Sequence, residues 1–191
     1  TTLGVIVMLA PGLVVWHKFV TVPEDALNVE VVAYQWDWKY RLPGEDGILG
    51  KTEIKFINDE NPFGLNLDDP NGKDDLLVDS GDLHLQIDKP VKFLLRSLDV
   101  IHNFYVPQFR AKMDMLPGHV TFYWLTPIRT GDFEVLCAEY CGVGHYVMRG
   151  RVIVDEEKNY NQWLAQQITF EKMLTQNKVE NKSLKLVKNT E

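Results

Sequence analysis

The chain has 191 residues, 45% of them apolar, and a formal charge of −7 at pH 7. Such a balance suits a globular body and disfavours nucleic acid as a partner, while favouring a basic protein. Two cysteines four positions apart exclude a disulfide scaffold and point to a site instead, and five histidines are too few for a large multi-histidine cluster beside it.

Residues 3–16, Leu-Gly-Val-Ile-Val-Met-Leu-Ala-Pro-Gly-Leu-Val-Val-Trp, carry no charge. A spanning helix needs about 20 apolar residues. The run therefore reads as the end of a longer membrane helix within residues 1–20, anchored at the interface by Trp16, His17 and Lys18. The plainer alternatives are a buried strand or a secretory segment. Val20 to Asp25, with Pro23, reads as a linker.

Residues 28–42 read as one long strand. Tyr34, Trp36, Trp38 and Tyr40 alternate with Gln35, Asp37, Lys39 and Arg41, which puts four aromatics on one face. Most of these are accounted for as a half-buried core face. The sharper reading leaves one indole near the surface as an electron port, without saying which. Pro43 to Gly50 reads as a turn, 51–58 as a short strand, and 59–75 as a polar loop with the turn signals Asn61-Pro62, Asp69-Pro70 and Asn71-Gly72. From Glu45 to Asp82 there are eleven acids and three lysines. A solvated loop explains most of them; collectively they would steer a basic protein.

Short strands are predicted at 76–79, 82–88, 91–98, 102–106, 119–126, 131–136 and 148–154, separated by Gly, Pro and Asp. That rhythm predicts an all-β sandwich or barrel over residues 21–155. No GxGxxG, P-loop, nucleophile-elbow serine or internal repeat is present. Beyond Asp155, Trp163, Leu164, Ile168, Phe170, Met173 and Leu174 recur at helical spacing behind Asp155-Glu156-Glu157. They predict a docked helix in 156–191, followed from Gln176 by a mobile Lys/Asn/Glu-rich tail.

The chemistry concentrates in Cys137-Ala-Glu-Tyr-Cys141-Gly-Val-Gly-His145-Tyr-Val-Met148. Steps of four, four and three also suit a helical stripe. Against that, Gly142 and Gly144 each cost about 1 kcal/mol in a helix, and the preceding residues alternate as a strand does. The expected form is a strand entering a glycine-bent loop. A Cys137–Cys141 disulfide would leave His145 and Met148 unexplained. Zinc takes Cys and His but seldom a thioether, so Met148 favours copper, which soft sulfur and imidazole suit. An upstream ligand is needed, and His102 between two strands is the candidate. His84 is expected exposed on a strand, His119 in a turn and His17 at the interface. One blue-copper centre uses two His, one Cys and a weak Met, so the second Cys is surplus to one metal. Two bridging thiolates would hold two coppers, each capped by an imidazole, with Met148 on one and a backbone carbonyl on the other.

This loop, together with Gln35-Trp36-Asp37-Trp38, Asp99-Val-Ile-His102 and Lys112-Met-Asp114-Met-Leu-Pro117-Gly118, resembles subunit II of cytochrome c oxidase over residues 3–155. The resemblance implies a cupredoxin-like Greek-key sandwich on a membrane anchor, carrying the binuclear copper centre CuA. It implies that Cys137 and Cys141 bridge, that His102 and His145 are terminal ligands, and that Met148 is a weak one. Glu139 would give its backbone carbonyl to copper and its side chain to a magnesium ion at the subunit I interface. Trp36 matches the aromatic electron-entry residue, and Asp99 with the acidic surface matches the cytochrome c docking face. The implied complex comprises oxidase subunit I and other oxidase subunits in the inner membrane, with the copper domain on the periplasmic or intermembrane-space side. Four departures stand out. At most the end of the second of the family's two membrane helices is expected here, and no C-x-x-C-H motif for a fused haem is present. The 45–82 insertion is longer than in compact members, and His119 stands where the family commonly has Arg.

Electron transfer from cytochrome c to haem in subunit I is thus the first functional reading. A CuA subunit of a nitric oxide reductase would use the same ligands, and only the partner separates the two. A copper carrier is the third; carriers need exposed, exchangeable sites rather than a strand-anchored loop closed by His102.

Overall fold

A computed structural model describes residues 1–78 and 81–176. It opens with helix α1 (Thr2–Val20). Eleven strands follow: β1 (Leu27–Tyr34), β2 (Asp37–Leu42), β3 (Leu76–Val78), β4 (Asp82–Gln86), β5 (Val91–Ser97), β6 (His102–Val106), β7 (Ala111–Met115), β8 (Thr121–Leu125), β9 (Gly131–Cys137), β10 (Arg149–Asp155) and β11 (Ile168–Thr169). Helix α2 (Glu157–Leu164) lies between the last two. One sheet has the order β11-β3-β2-β1-β5-β8, the other β4-β10-β9-β6-β7. The parallel pairs β1–β5 and β4–β10 require crossovers, so the β-sandwich predicted from turn spacing is present.

Strand alternation builds the core. In β5, Val91, Phe93, Leu95 and Ser97 are buried while the residues between them are half-exposed. They meet Trp38, Tyr40, Phe104, Val106, Val135, Val152 and Val154 between the sheets. Phe104 lies edge-on to Trp38 at 5.4 Å, the T-shaped arrangement that aromatic quadrupoles favour. α1 is long and apolar enough to cross a membrane, and none of its residues is buried.

Several expected elements are differently drawn. Residues 28–42 form a hairpin, with Tyr34 opposite Asp37 and the reversal at Gln35-Trp36. No Gly, Pro or Asn marks that turn, so the aromatic alternation runs straight through it. Trp38 and Tyr40 are buried in the core, but Trp36 sits at the hairpin tip. Residues 51–58 contain a single helical turn, Ile54–Phe56, rather than a strand. β7 is an additional strand. The C-terminal pattern is not one helix: α2 ends at Leu164, β11 pairs with β3, and residues 170–176 are helical again. Asp79 and the tail from 177 onward lie outside the described residues. His84 is not exposed; it is stacked on Trp163 at 4.6 Å and bonded to Asp155 at 2.6 Å.

The 45–75 segment is a cover rather than a free loop. It brings Phe63 and Leu65 onto Val32 and Phe170, on the far side of β1 from the main core. Beneath it Arg41 pairs with Glu30 and Asp75, and Arg96 with Glu30 at 2.6 Å. This explains why Val29 to Ala33 are buried on both faces of the strand.

Three segments converge at one end of the sandwich: the β1–β2 turn, the 98–101 connection into β6, and the 138–148 connection between β9 and β10. The register requires it, because Ala33 is level with Ser97, Phe104 with Cys137, and Leu136 with Arg149.

Candidate metal centre

β9 delivers Cys137 as its last residue, and the chain then leaves the sheet. Gly142 takes φ +121°, a conformation open to glycine. A helical turn, His145–Val147, returns the chain to Met148 and β10. The strand-to-loop form expected from the glycines is what the chain adopts. Ala138 N–H donates to Asn103 O at 3.1 Å, tying the loop's start to β6.

Both thiols are free, with the sulfurs 3.7 Å apart, well beyond a disulfide bond. His102 Nδ1 lies 3.8 Å from Cys137 Sγ, and His145 Nδ1 lies 3.6 Å from Cys141 Sγ. Met148 Sδ is 3.8 Å from Cys141 Sγ, and the Glu139 carbonyl oxygen is 3.2 Å from Cys137 Sγ. The ligating atoms of His102, Cys137 and Cys141 all lie within 4.8 Å of one another. His102, Cys137, Cys141 and Met148 are buried, while His145 is half-exposed with Tyr140 edge-on at 5.8 Å. The donor set is soft sulfur flanked by imidazole, with a separate imidazole beside each thiol. That chemistry fits copper.

The electrostatics favour thiolate at one position. Burial pushes the Cys137 thiol up, but hydrogen bonding to His102 and to the backbone of Asn103 and Glu139 outweighs it and holds the group below an ordinary cysteine. Cys141 goes the other way, raised by burial and by its neighbour Cys137. One anion is thus accommodated without metal, and a second needs added positive charge.

Asp99 was expected on a docking face. The structure also sets it directly behind His102: its Oδ1 is 2.9 Å from His102 Nε2, and its Oδ2 accepts the Gln35 N–H at 2.7 Å. Burial raises this carboxyl, but the bonds from His102, Val100 N–H and Gln35 N–H more than offset it and hold it below the usual range. This arrangement orients Nδ1 toward Cys137. The spacing Asp99-x-x-His102 was the available signal for it.

Trp36 is 36% exposed, and its indole N–H donates to the Cys141 carbonyl at 3.3 Å. Gln35 Nε2 donates to the same carbonyl at 2.8 Å, a contact that strand periodicity could not reveal. Around them Tyr140, Val143, Tyr146 and Val147 are exposed, an apolar apron on the ligand loop. The Glu139 residue is exposed. His17 and His119 stand apart from the centre, on α1 and in a turn respectively.

The cytochrome c oxidase subunit II periplasmic-domain family matches residues 27–156. The alternative cytochrome c oxidase subunit 2 of Bradyrhizobium diazoefficiens is 63% identical over 170 residues, covering 89% of this chain and 61% of that protein. A probable cytochrome c oxidase subunit 2 of Rickettsia bellii is 30% identical over 160 residues, 84% of this chain and 56% of its own length. The chain thus spans about 60% of the length of these relatives. In fold it is similar to the periplasmic domain of subunit II of cytochrome oxidase of Bradyrhizobium japonicum, with TM-score 0.55 and 24% identity over 76% of this chain and 95% of the other. A subunit II domain crystallised as a mixed disulfide with a thioredoxin-like protein is also similar, with TM-score 0.51, 27% identity, and coverage of 76% of this chain and 93% of the other. On the family match over residues 27–156 and its 63%-identical relative, this chain belongs to the cytochrome c oxidase subunit II family.

Proposed function

We propose that the chain is the electron-entry subunit of a haem-copper terminal oxidase. The observation that carries this reading is the convergence of two thiols, two imidazoles and a thioether directly beneath an exposed tryptophan. Cys137 and Cys141 would bridge a copper pair, His102 and His145 would cap it, and Met148 and the Glu139 carbonyl would be its weak donors. When bound, such a pair supplies a one-electron carrier whose charge is shared over two nuclei.

The chain's own residues do the rest. Trp36 presents its indole to a docking donor and is hydrogen-bonded to a ligand residue behind it. The buried faces of His102, Cys141 and Met148 keep water out and the ligand positions fixed. Asp99 holds His102 in one tautomer. The acidic surface draws in a basic cytochrome c. Across the boundary with subunit I, haem takes the electron for oxygen reduction. The exposed Glu139 carboxylate would reach a magnesium ion at that boundary. Residues 1–20 anchor the chain in the inner membrane, and 21–155 form the copper domain on its periplasmic side. The relatives are oxidase subunits, which supports an oxidase over a nitric oxide reductase. The mixed disulfide of the similar subunit supports a thioredoxin-like protein as a partner for the free thiols of Cys137 and Cys141.

Copper loading followed by electron paramagnetic resonance tests the proposal. Two coppers per chain sharing one unpaired electron are expected, and Cys137→Ser should abolish that shared signature. A single copper with a localised spin in the wild type would overturn it.

A further inference from the structure

Gln35 bonds in two directions from the hairpin tip. Its backbone N–H donates to Asp99 Oδ2 at 2.7 Å, and Asp99 Oδ1 holds His102 Nε2 at 2.9 Å. Its side-chain amide donates to the Cys141 carbonyl at 2.8 Å. One residue therefore links the 98–101 connection, whose Asp99 holds His102, to the loop that carries Cys141 and His145.

Two glycines permit this approach. A Cβ on Gly142 would stand 2.9 Å from Gln35 Nε2, and a Cβ on Gly144 would stand 2.3 Å from Trp36 Cδ2. Gly142 has a positive φ, so two needs coincide there. Gly144 has φ −91° and ψ 8°, open to any residue. At Gly144 the requirement is contact alone: the indole lies directly on the loop backbone.

We propose that Gln35 is a positioning residue, a two-sided clip that holds the ligand loop against the 98–101 connection before any metal arrives, with Gly144 as the seat for Trp36. The importance of the clip rests on the copper reading above, but the clip itself is a property of the metal-free chain. It presents the donors already arranged, so loading has less ordering to do.

The test uses the full chain in detergent, reduced and with excess chelator. Hydrogen exchange is followed in peptides covering residues 138–148 and, as reference, 91–97. Gln35→Leu removes the donor, and Gln35→Glu keeps the length while presenting a carboxylate to the carbonyl. Both should speed loop exchange about fivefold, the effect of losing one partly exposed hydrogen bond, and leave the reference peptide unchanged. Wild-type loop exchange in either variant would overturn the clip, and so would equal acceleration in both peptides. For the seat, Gly144→Ala should raise acrylamide quenching of the Trp36 emission, taken as the difference from the same chain carrying Trp36→Phe. Unchanged quenching would overturn that part. Because no metal enters these measurements, the clip is judged separately from the copper resonance of the wild type.

Discussion

At the scale of single residues, the centre is ordered by what stands behind the donors. A histidine ligand works through one nitrogen only if the other is committed, and Asp99 commits His102 Nε2 at 2.9 Å. Asp99→Ala should weaken copper binding by about 10- to 100-fold, the usual cost of losing such a partner. Competition against a chelator measures it, and an unchanged affinity would reduce Asp99 to a surface charge. Trp36 makes a different argument. Its ring is outside the donor set, yet it hydrogen-bonds Cys141 O. Trp36→Phe removes that bond and part of the exposed ring. Electron entry from cytochrome c should slow by at least tenfold, a barrier change of roughly 1.4 kcal/mol, with the copper resonance unchanged. Stopped-flow reduction reads the rate. Equal rates would make Trp36 packing only.

At the scale of elements, the 45–75 cover has its own electrostatics. Asp75 is fully buried beside Arg41, with Gly50 N–H on its Oδ2 at 3.0 Å. Burial pushes its carboxyl up to about 6 from an ordinary 3.8, against the pull of Arg41 and of the Gly50 bond. Between those values the folded chain holds a proton that the unfolded chain has released. Stability should therefore fall as pH rises from about 4 to about 6, and this contribution should then level off. In Asp75→Asn that component should vanish, as measured by denaturant midpoints across the range. A wild-type slope in the variant would place the titrating group elsewhere. Such a cover was not visible in the 45–82 composition, because a count of acids does not separate the exposed carboxylates from the buried Asp75. Its inward residues, Phe63 and Leu65, are two apolar positions in a polar stretch.

At the scale of the whole molecule, net charge and the placement of the site act together. The chain carries −7 overall, and its candidate entry port is at the loop end of the sandwich. A basic cytochrome, as proposed above, would be attracted over distances comparable with the Debye length, about 10 Å at 0.1 M salt. The bimolecular rate of reduction by a basic cytochrome c should drop by about tenfold or more between low and high salt, whereas reduction by a small neutral reagent should barely change. A salt-independent rate with the cytochrome would remove the steering role from the acidic surface.

Much of this protein was written locally. Two thiols, an imidazole and a thioether within twelve residues admit few chemistries, and alternation with turn residues is enough to announce a sandwich. Those signals are short-range, set by which atoms bind a soft metal and by the two-residue period of a strand. What only the folded chain decided are contacts between distant segments. The reversal at Gln35-Trp36 carries no turn residue and is stabilised by partners 64 and 106 positions away, Asp99 and Cys141. Asp99 behind His102, the separate imidazole for each thiol, and the folding of an acidic stretch onto β1 arise the same way. Each depends on how strands are ordered and registered in two sheets, and no local period in the chain encodes that order.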